Sequence, residues 1–546
     1  MLELCTEETP MMKTPLTIVL CFACMQLAAP AYGQTPAESA ERWYREGAER
    51  ARSLASGKSK AKNVILFVGD GMSLPTVAAA RIYEGQLRKQ TGEENQLSFE
   101  DFPHTAFSKT YNTDSQTPDS AGTMTAMITG AKTRIGFVSI GQAAERGDCA
   151  AGLKAPLTSA VTLAKSAGLS TGVVTTTRIT HATPAAAYAH STERNWESDA
   201  DMPEKAKSQG CKDIAQQLVL YASQTGLDVV MGGGLSKFLP KPGSAGAKGA
   251  RKDGRNLITE WQKAEPKRRF IRTGSELVKL DLNAGQPVTG LFSDDHLDYE
   301  YDRLADKTDQ PSLADMTKAA IRLMQKNSKG FFLVVEGGRI DHAHHSGNAY
   351  RALTDTVALS DAVRVAAELT SADDTLILVT ADHSHTMSFV GYPQRGNPIL
   401  GKVFGKASED DPPSLVKDLL GKPFTTLVYA NGPGYAGESS LQPEGTKNYP
   451  HNPGGYFAPA TGRPDLTDVD TGHPNFMQEA LVPSNSESHG GDDVGIWARG
   501  PGAEAVRGTL EQNVIFHLLT QPQPLIRKSL CDKGHCENGV PVKLPR

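Results

Sequence analysis

The 546-residue sequence has no surplus of positive charge: 57 Lys and Arg stand against 62 Asp and Glu, a formal net charge of −5. Proteins dedicated to coating nucleic acid need clustered basic side chains that displace phosphate counterions, so that class is excluded. No apolar run reaches the roughly 20 residues that span a bilayer, and there is no internal repeat. Aromatic residues are few, at 6%, yet hydrophobic residues make up 39% and charged residues 22%, the balance of an ordinary soluble globular chain. At this length the chain holds either several domains or one large α/β unit with insertions.

Cysteine is sparse too, and unevenly placed. Met12 and Lys13 precede an apolar stretch over residues 16–27, followed by Ala28-Ala29-Pro30-Ala31-Tyr32-Gly33, the small residues of a signal-peptidase site. This predicts a secretory signal over residues 1–33 and an exported protein, periplasmic or secreted. The residues before Met12 are acidic and unlike the basic start of a signal, so translation is expected to begin at Met11 or Met12. Cys5, Cys21 and Cys24 fall in this removed segment, leaving Cys149, Cys211, Cys531 and Cys536. An even set of four in an exported chain points to disulfides, with three connectivities open. The simplest joins Cys149 to Cys211 and Cys531 to Cys536. A thiolate zinc site is the alternative, disfavoured because no second short-spaced pair exists.

Apolar runs of buried-strand length recur at 63–69, 172–176, 228–231, 331–335, 375–380 and 493–499, with helical spacing at 157–167, 213–224, 313–325 and 350–369 between them. Such alternation predicts an α/β fold with a mainly parallel central sheet covered by helices on both faces. A peripheral helix with its linker is expected within 34–62. Catalytic-domain sequence is expected over 63–386 and 487–522, and a disulfide-bearing tail over 523–546. Residues 387–486 are rich in Gly and Pro and carry no long periodic pattern, while keeping aromatics such as Tyr429 and Tyr435 that disordered segments lack. They read as an inserted crown.

Ligands gather beyond the carboxyl ends of parallel strands, so polar residues directly after apolar runs are the first to weigh. The first run ends in Asp70-Gly71, a later one in Glu336-Gly-Gly-Arg-Ile-Asp341-His-Ala-His-His345, and a third in Asp382-His383. Asp341 and His345 are four apart, which puts both on one helix face if a helix starts there. His489 precedes another strand. One Asp at a strand tip is usually a turn or cap residue, but three such tips with an additional imidazole reverse that weighting. Mixed nitrogen and carboxylate sets favour zinc, and an all-oxygen set favours magnesium. Asp119-Ser120-Ala-Gly-Thr leads into a helical run, where free N–H groups and the helix dipole favour an ionising serine oxygen and an incoming phosphate. A Ser in this place is usually only a cap. With no base beside it in sequence, its activation would fall to a metal. Arg194, in a polar loop after another strand with His181 and Thr183 close by, could hold two phosphate oxygens through its planar fork.

Together the blocks Asp119-Ser-Ala-Gly-Thr, Thr175-Thr-Thr-Arg-Ile-Thr-His-Ala-Thr-Pro, Glu336-Gly-Gly-Arg-Ile-Asp-His-Ala-His-His, Thr380-Ala-Asp-His-Ser-His and His489-Gly-Gly-Asp-Asp-Val resemble the alkaline phosphatase family, its animal branch more than its enterobacterial one. The similarity runs from about residue 63 to residue 506. It implies hydrolysis of phosphate monoesters through a phosphoserine, with two zinc ions and one magnesium. By this resemblance Asp341, His345 and His489 hold the first zinc, Asp70, Asp382 and His383 the second, and Asp70, Thr183 and Glu336 the magnesium. Ser120 is then the nucleophile, Arg194 the phosphate clamp, Asp119 its orienting neighbour, and His181 stands behind the magnesium ligands. The two disulfides of the family match Cys149 with Cys211 and Cys531 with Cys536. Some animal members bind calcium near the stretch matching Phe292-Ser293, but Ser293 replaces the family's glutamate, which argues against calcium here. No apolar tail follows Cys536, so a glycolipid anchor is not expected. A homodimer is implied, with the N-terminal helix and crown at the contact. Sulfatases of the wider superfamily use a Cys/Ser-x-Pro-x-Arg context that Ser120 lacks, and related phosphodiesterases commonly use Thr. A non-catalytic binder of phosphate or metal is disfavoured by the presence of nucleophile, clamp and every ligand.

Overall fold

The computed structural model describes residues 38–57, 60–242, 248–406, 410, 412–437, 444–450 and 462–545. The expected signal segment, with Cys5, Cys21 and Cys24, lies outside the described residues, as do parts of the expected crown.

A ten-stranded sheet organises Ser39–Arg546. Across it the strands run Thr509–Glu511, His104–Lys109, Val494–Arg499, Thr375–Ala381, Asn63–Gly69, Phe331–Gly337, Ser170–Arg178, Val229–Gly233, Val288–Leu291 and Arg269–Ile271. The seven from Thr375–Ala381 to Arg269–Ile271 are mutually parallel, and Val494–Arg499 runs antiparallel to both of its neighbours. The reason the central strands read as unbroken apolar runs is visible in their side-chain alternation. Val64, Leu66 and Val68 enter one core, while Ile65 and Phe67 enter the other. Phe332 and Val334 divide from Leu333 and Val335 in the same way, so a strand buried on both faces is apolar at every position.

Helices Ser120–Thr129, Ala160–Ser166, Ile214–Gln224 and Val514–Thr520 supply buried side chains to one core, and Leu74–Leu87, Leu313–Met324 and Ala349–Leu369 to the other. Six of these seven helices start where the sequence supplies a cap: Ser73, Asp119, Ser159, Asp213, Ser312 and Asn348 all accept backbone N–H groups at N-termini. The peripheral helix spans Ala40–Leu54, capped by Ser39.

Four strands of this sheet were not expected from the sequence. Arg269–Ile271 and Thr509–Glu511 are three residues each, at the two edges, and Val288–Leu291 contains a glycine. His104–Lys109 alternates buried and exposed residues and is largely polar. In 387–486, where no regular pattern was expected, Met387–Phe389, Leu427–Gly432 and Ala480–Pro483 form a separate three-stranded sheet. Its strands are too short and too interrupted by Gly and Pro to show periodicity. Disulfides join Cys149 to Cys211 and Cys531 to Cys536.

Candidate active site

The central strands Asn63–Gly69, Phe331–Gly337 and Thr375–Ala381 lie side by side and deliver Asp70, Glu336 and Asp382 to one end of the sheet. After Asp70 the chain turns at Gly71, whose φ of +70° is a left-handed conformation. Its N–H donates to Asp382 Oδ1 at 3.0 Å, and a Cβ there would come within 2.3 Å of the His385 ring, so only glycine fits.

Asp341 and His345 sit one turn apart on the short helix Arg339–His345. They meet His489, which arrives on a two-residue strand paired with Ser384–His385. Nε2 of His345 and of His489 lie 3.1 Å apart, and each is 3.4 Å from Asp341 Oδ1. Ligands about 2.0–2.1 Å from a tetrahedral zinc stand roughly 3.3–3.4 Å from one another, so these three atoms have the spacing of a zinc site. The opposite ring nitrogens are already committed: His345 Nδ1 donates to the Glu487 carbonyl at 2.5 Å and His489 Nδ1 to the Pro118 carbonyl at 2.7 Å. Both Nε2 lone pairs are thereby left for a metal.

A second group forms around His383. Its Nε2 is 3.2 Å from Asp70 Oδ1 and 3.4 Å from Asp382 Oδ2. Ser120 Oγ lies 3.3 Å from Asp70 Oδ1 and 3.1 Å from His383 Nε2, the same edge lengths again, so the serine oxygen stands where a further ligand of the same ion would. Ser120 is the first residue of its helix, and Asp119 is the cap, accepting from Gly122 N–H at 3.0 Å. Asp119 Oδ2 also accepts from Arg194 Nη1 at 3.0 Å and from Gly136 N–H at 3.0 Å. Burial works to raise this carboxyl, but Arg194 and the two N–H groups hold it below its ordinary range.

The third group is rich in oxygen. Thr183 Oγ1 is 3.4 Å from Asp70 Oδ2, and ligand atoms of Asp70, Glu336 and His181 lie within 4.8 Å of one another. Glu336 Oε2 accepts from Thr175 and, at 3.1 Å, from Thr177, whereas its buried Oε1 has no hydrogen-bond partner among the described residues. A buried carboxylate oxygen left open among oxygen donors fits a magnesium ion. Burial together with Arg194 and Arg178 keeps His181 neutral. It accepts from Arg194 Nη2 at Nε2, 3.2 Å away, which leaves Nδ1 protonated, a donor and not a metal ligand.

Asp70, Asp341, Asp382 and Glu336 are all buried here. Burial, then the charges of Asp382, Asp341 and Glu336, push the Asp70 carboxyl well above its ordinary range. Burial likewise pushes Glu336 up to about 7. Asp341 goes the other way: against burial, His345, His385 and His489 hold it well below the usual range. Four carboxylates packed this closely repel unless cations are added, which the three ligand groups are placed to accept.

Every candidate metal-ligating, nucleophilic and phosphate-clamping residue singled out in the sequence thus lies in this cluster. Sequence reasoning missed His385, which places Nε2 2.8 Å from Asp341 Oδ1 and hands Nδ1 to Glu487 Oε2. Glu487 Oε1 also accepts from the N–H and the hydroxyl of Thr386. Thr123 donates to Asp382 Oδ2 at 3.2 Å. One signal was available: His383 and His385 are two apart, the spacing that returns an extended chain to the same face. At the stretch where some animal members bind calcium, Ser293 Oγ accepts the Asp295 N–H and Asp295 pairs with Arg178 at 2.6 Å.

A family model described as alkaline phosphatase matches residues 61–523. An alkaline phosphatase of Gadus morhua is 42% identical over 487 residues, 87% of this chain and 95% of the relative. The tissue-nonspecific alkaline phosphatase of Homo sapiens is 43% identical over 472 residues, 84% of this chain and 83% of its own. Among solved structures, alkaline phosphatase from Thermus thermophilus superposes with a TM-score of 0.58 at 24% identity, covering 87% of this chain and 94% of that one. The enzyme from the Antarctic bacterium TAB5 gives 0.56 at 20%, covering 85% and 99%. These two share the fold, whereas the identity to the animal enzymes supports the animal-type branch.

Proposed function

This chain belongs to the alkaline phosphatase family and is a phosphomonoesterase, and from that premise we propose that it cleaves phosphate monoesters through a covalent phosphoserine at Ser120. Asp341, His345 and His489 would hold one zinc, Asp70, Asp382 and His383 a second, and Asp70, Thr183 and Glu336 a magnesium. When bound, such ions neutralise phosphoryl oxygens and lower the pKa of an oxygen nucleophile or leaving group. The observation that carries the proposal is the position of Ser120 Oγ, 3.3 Å and 3.1 Å from ligand atoms of Asp70 and His383 at the start of a helix.

Ser120 Oγ, giving up its proton to solvent, attacks phosphorus, forming an Oγ–P bond as the ester P–O bond breaks, and the departing alkoxide takes a proton from solvent. Water then attacks the phosphoserine, the P–Oγ bond breaks, and Ser120 returns with inorganic phosphate released. Arg194 holds two non-bridging oxygens through its guanidinium fork, aimed by Asp119 and by the lone pair of His181. The partial positive charge at the N-terminus of the Ser120 helix favours both the serine alkoxide and the phosphate. Rates on a nitrophenyl phosphate, a bis-nitrophenyl phosphate and a nitrophenyl sulfate should rank monoester far above diester and sulfate. A diester or sulfate turned over faster than the monoester contradicts the reading.

We read 387–486 as a crown inserted into the catalytic domain, supported by the separate sheet its strands form. Export is supported by the disulfides, and a homodimer by the family. Light scattering on protein recovered from the periplasm or medium should give twice the chain mass. A monomer, or a protein confined to the cytosol, counts against these assignments.

A further inference from the structure

The hydroxyl of Tyr429 lies 2.8 Å from Nδ1 of His344. Tyr429 belongs to Leu427–Gly432, in the small sheet outside the central one, and His344 to the helix that carries Asp341 and His345. Nε2 of His344 lies 3.0 Å from Thr76 Oγ1, and that hydroxyl lies 2.8 Å from Ser73 Oγ. Ser73 caps the helix Leu74–Leu87, which begins just after the Asp70 turn. All four residues are buried, and none takes part in the proposed chemistry.

The chain has one consistent direction. A phenol this deeply buried keeps its proton, and that proton has no other acceptor among the described residues, so Tyr429 donates to Nδ1. Accepting at Nδ1, His344 carries its proton on Nε2 and donates to Thr76, whose hydroxyl in turn shares a hydrogen bond with Ser73. The bonds of His344 tie three elements together: the outlying sheet, the ligand helix and the helix behind the Asp70 turn. The His344 ring also stacks on His385, centroids 4.9 Å apart and planes at 30°, and His385 bonds Asp341.

A helix of seven residues cannot set its own orientation, because so few turns supply little internal stability. Its backbone is tethered from outside at its two ends, where Arg339 N–H donates to Thr176 Oγ1 and the His345 carbonyl accepts from Glu487 N–H, and apolar packing between them sets its rotation only loosely. Directional bonds on both ring nitrogens of His344 do fix that rotation, and with it the direction of the neighbouring His345 and of Asp341 one turn away. We infer that Tyr429 is a positioning residue which, through His344, holds the ligand helix in register with the Asp70 turn, making the outlying sheet part of the first metal site. This rests on the metal reading above.

The test compares wild-type protein with Tyr429→Phe, which keeps the ring and removes only the hydroxyl, both purified with zinc. Zinc loss to a chromophoric chelator should be about 3- to 10-fold faster in the variant, below the roughly 10- to 100-fold of direct partners of a ligand because Tyr429 acts one residue further back. His344→Gln, which keeps a polar atom toward Thr76 but loses the one toward Tyr429, should accelerate loss similarly. The double variant should be no faster than the worse single, since both remove the same link. A wild-type rate of zinc loss in Tyr429→Phe overturns the inference, even if its melting temperature falls, as does a double variant whose acceleration is the product of the two singles. Wild-type protein that binds no zinc would instead overturn the metal reading.

Discussion

Replacing Ser120 with alanine is expected to lower monoester turnover by roughly 10³-fold or more, the scale seen when a nucleophile acting with its surroundings as one unit is removed. The change deletes one oxygen from a buried position at the first turn of its helix, where alanine is an excellent helix former. The cap is untouched, because Asp119 makes it. Asp70, Asp382, His383 and Arg194 keep their own contacts, so zinc content and phosphate binding should survive while turnover collapses. Assay against nitrophenyl phosphate, with metal content measured on the same preparation, separates loss of the nucleophile from loss of the site. Near wild-type turnover would refute the covalent route.

Chelation is expected to be comparably severe. Without cations, Asp70, Asp341, Asp382 and Glu336 face one another in a site where several kcal/mol of transition-state stabilisation is missing, so activity should fall by about 10³-fold and return with zinc plus magnesium. A linked effect on stability has a defined sign. Burial raises the Glu336 carboxyl from 4.5 to about 7 in the folded state, so between those values the folded chain holds more protons than the unfolded one. Stability then falls as pH rises through that window. Glu487, also raised to about 7 by burial, acts in the same direction. Relative to chelated Glu336→Gln, chelated wild-type protein should therefore lose melting temperature as pH goes from about 4.5 to about 7, a comparison that cancels the opposite contribution of buried neutral histidines such as His342 and His385, whereas the metal-loaded protein should resist the change. Full activity after exhaustive chelation, or no difference between the two melting profiles, would show that these carboxylates do not hold metal.

The central strands were legible because burial on both faces makes their inner residues apolar, as in 64–68 and 376–379, and the polar residue ending each run marks its tip. His104–Lys109 was not, since only Ala106 and Ser108 are buried and its one large apolar residue, Phe107, is exposed. The ligand candidates were legible for the same reason as the tips, and Asp341 with His345 through their helical spacing. His344, His385, Glu487 and Tyr429 were not. Their roles rest on contacts across long sequence separations, such as the 85 residues between His344 and Tyr429, which spacing along the chain does not encode. His385 was the nearest to being readable, two residues beyond His383 in an extended segment.

Whether phosphate passes through Ser120 decides the mechanism. Acid quench of the wild-type protein during turnover, followed by proteolysis and mass spectrometry, reports this directly. A phosphate adduct on the peptide carrying Ser120, absent from Ser120→Ala, is the expected result. Substrate turned over with no adduct on that peptide at any quench time or pH, or with the adduct on a different residue, would contradict it.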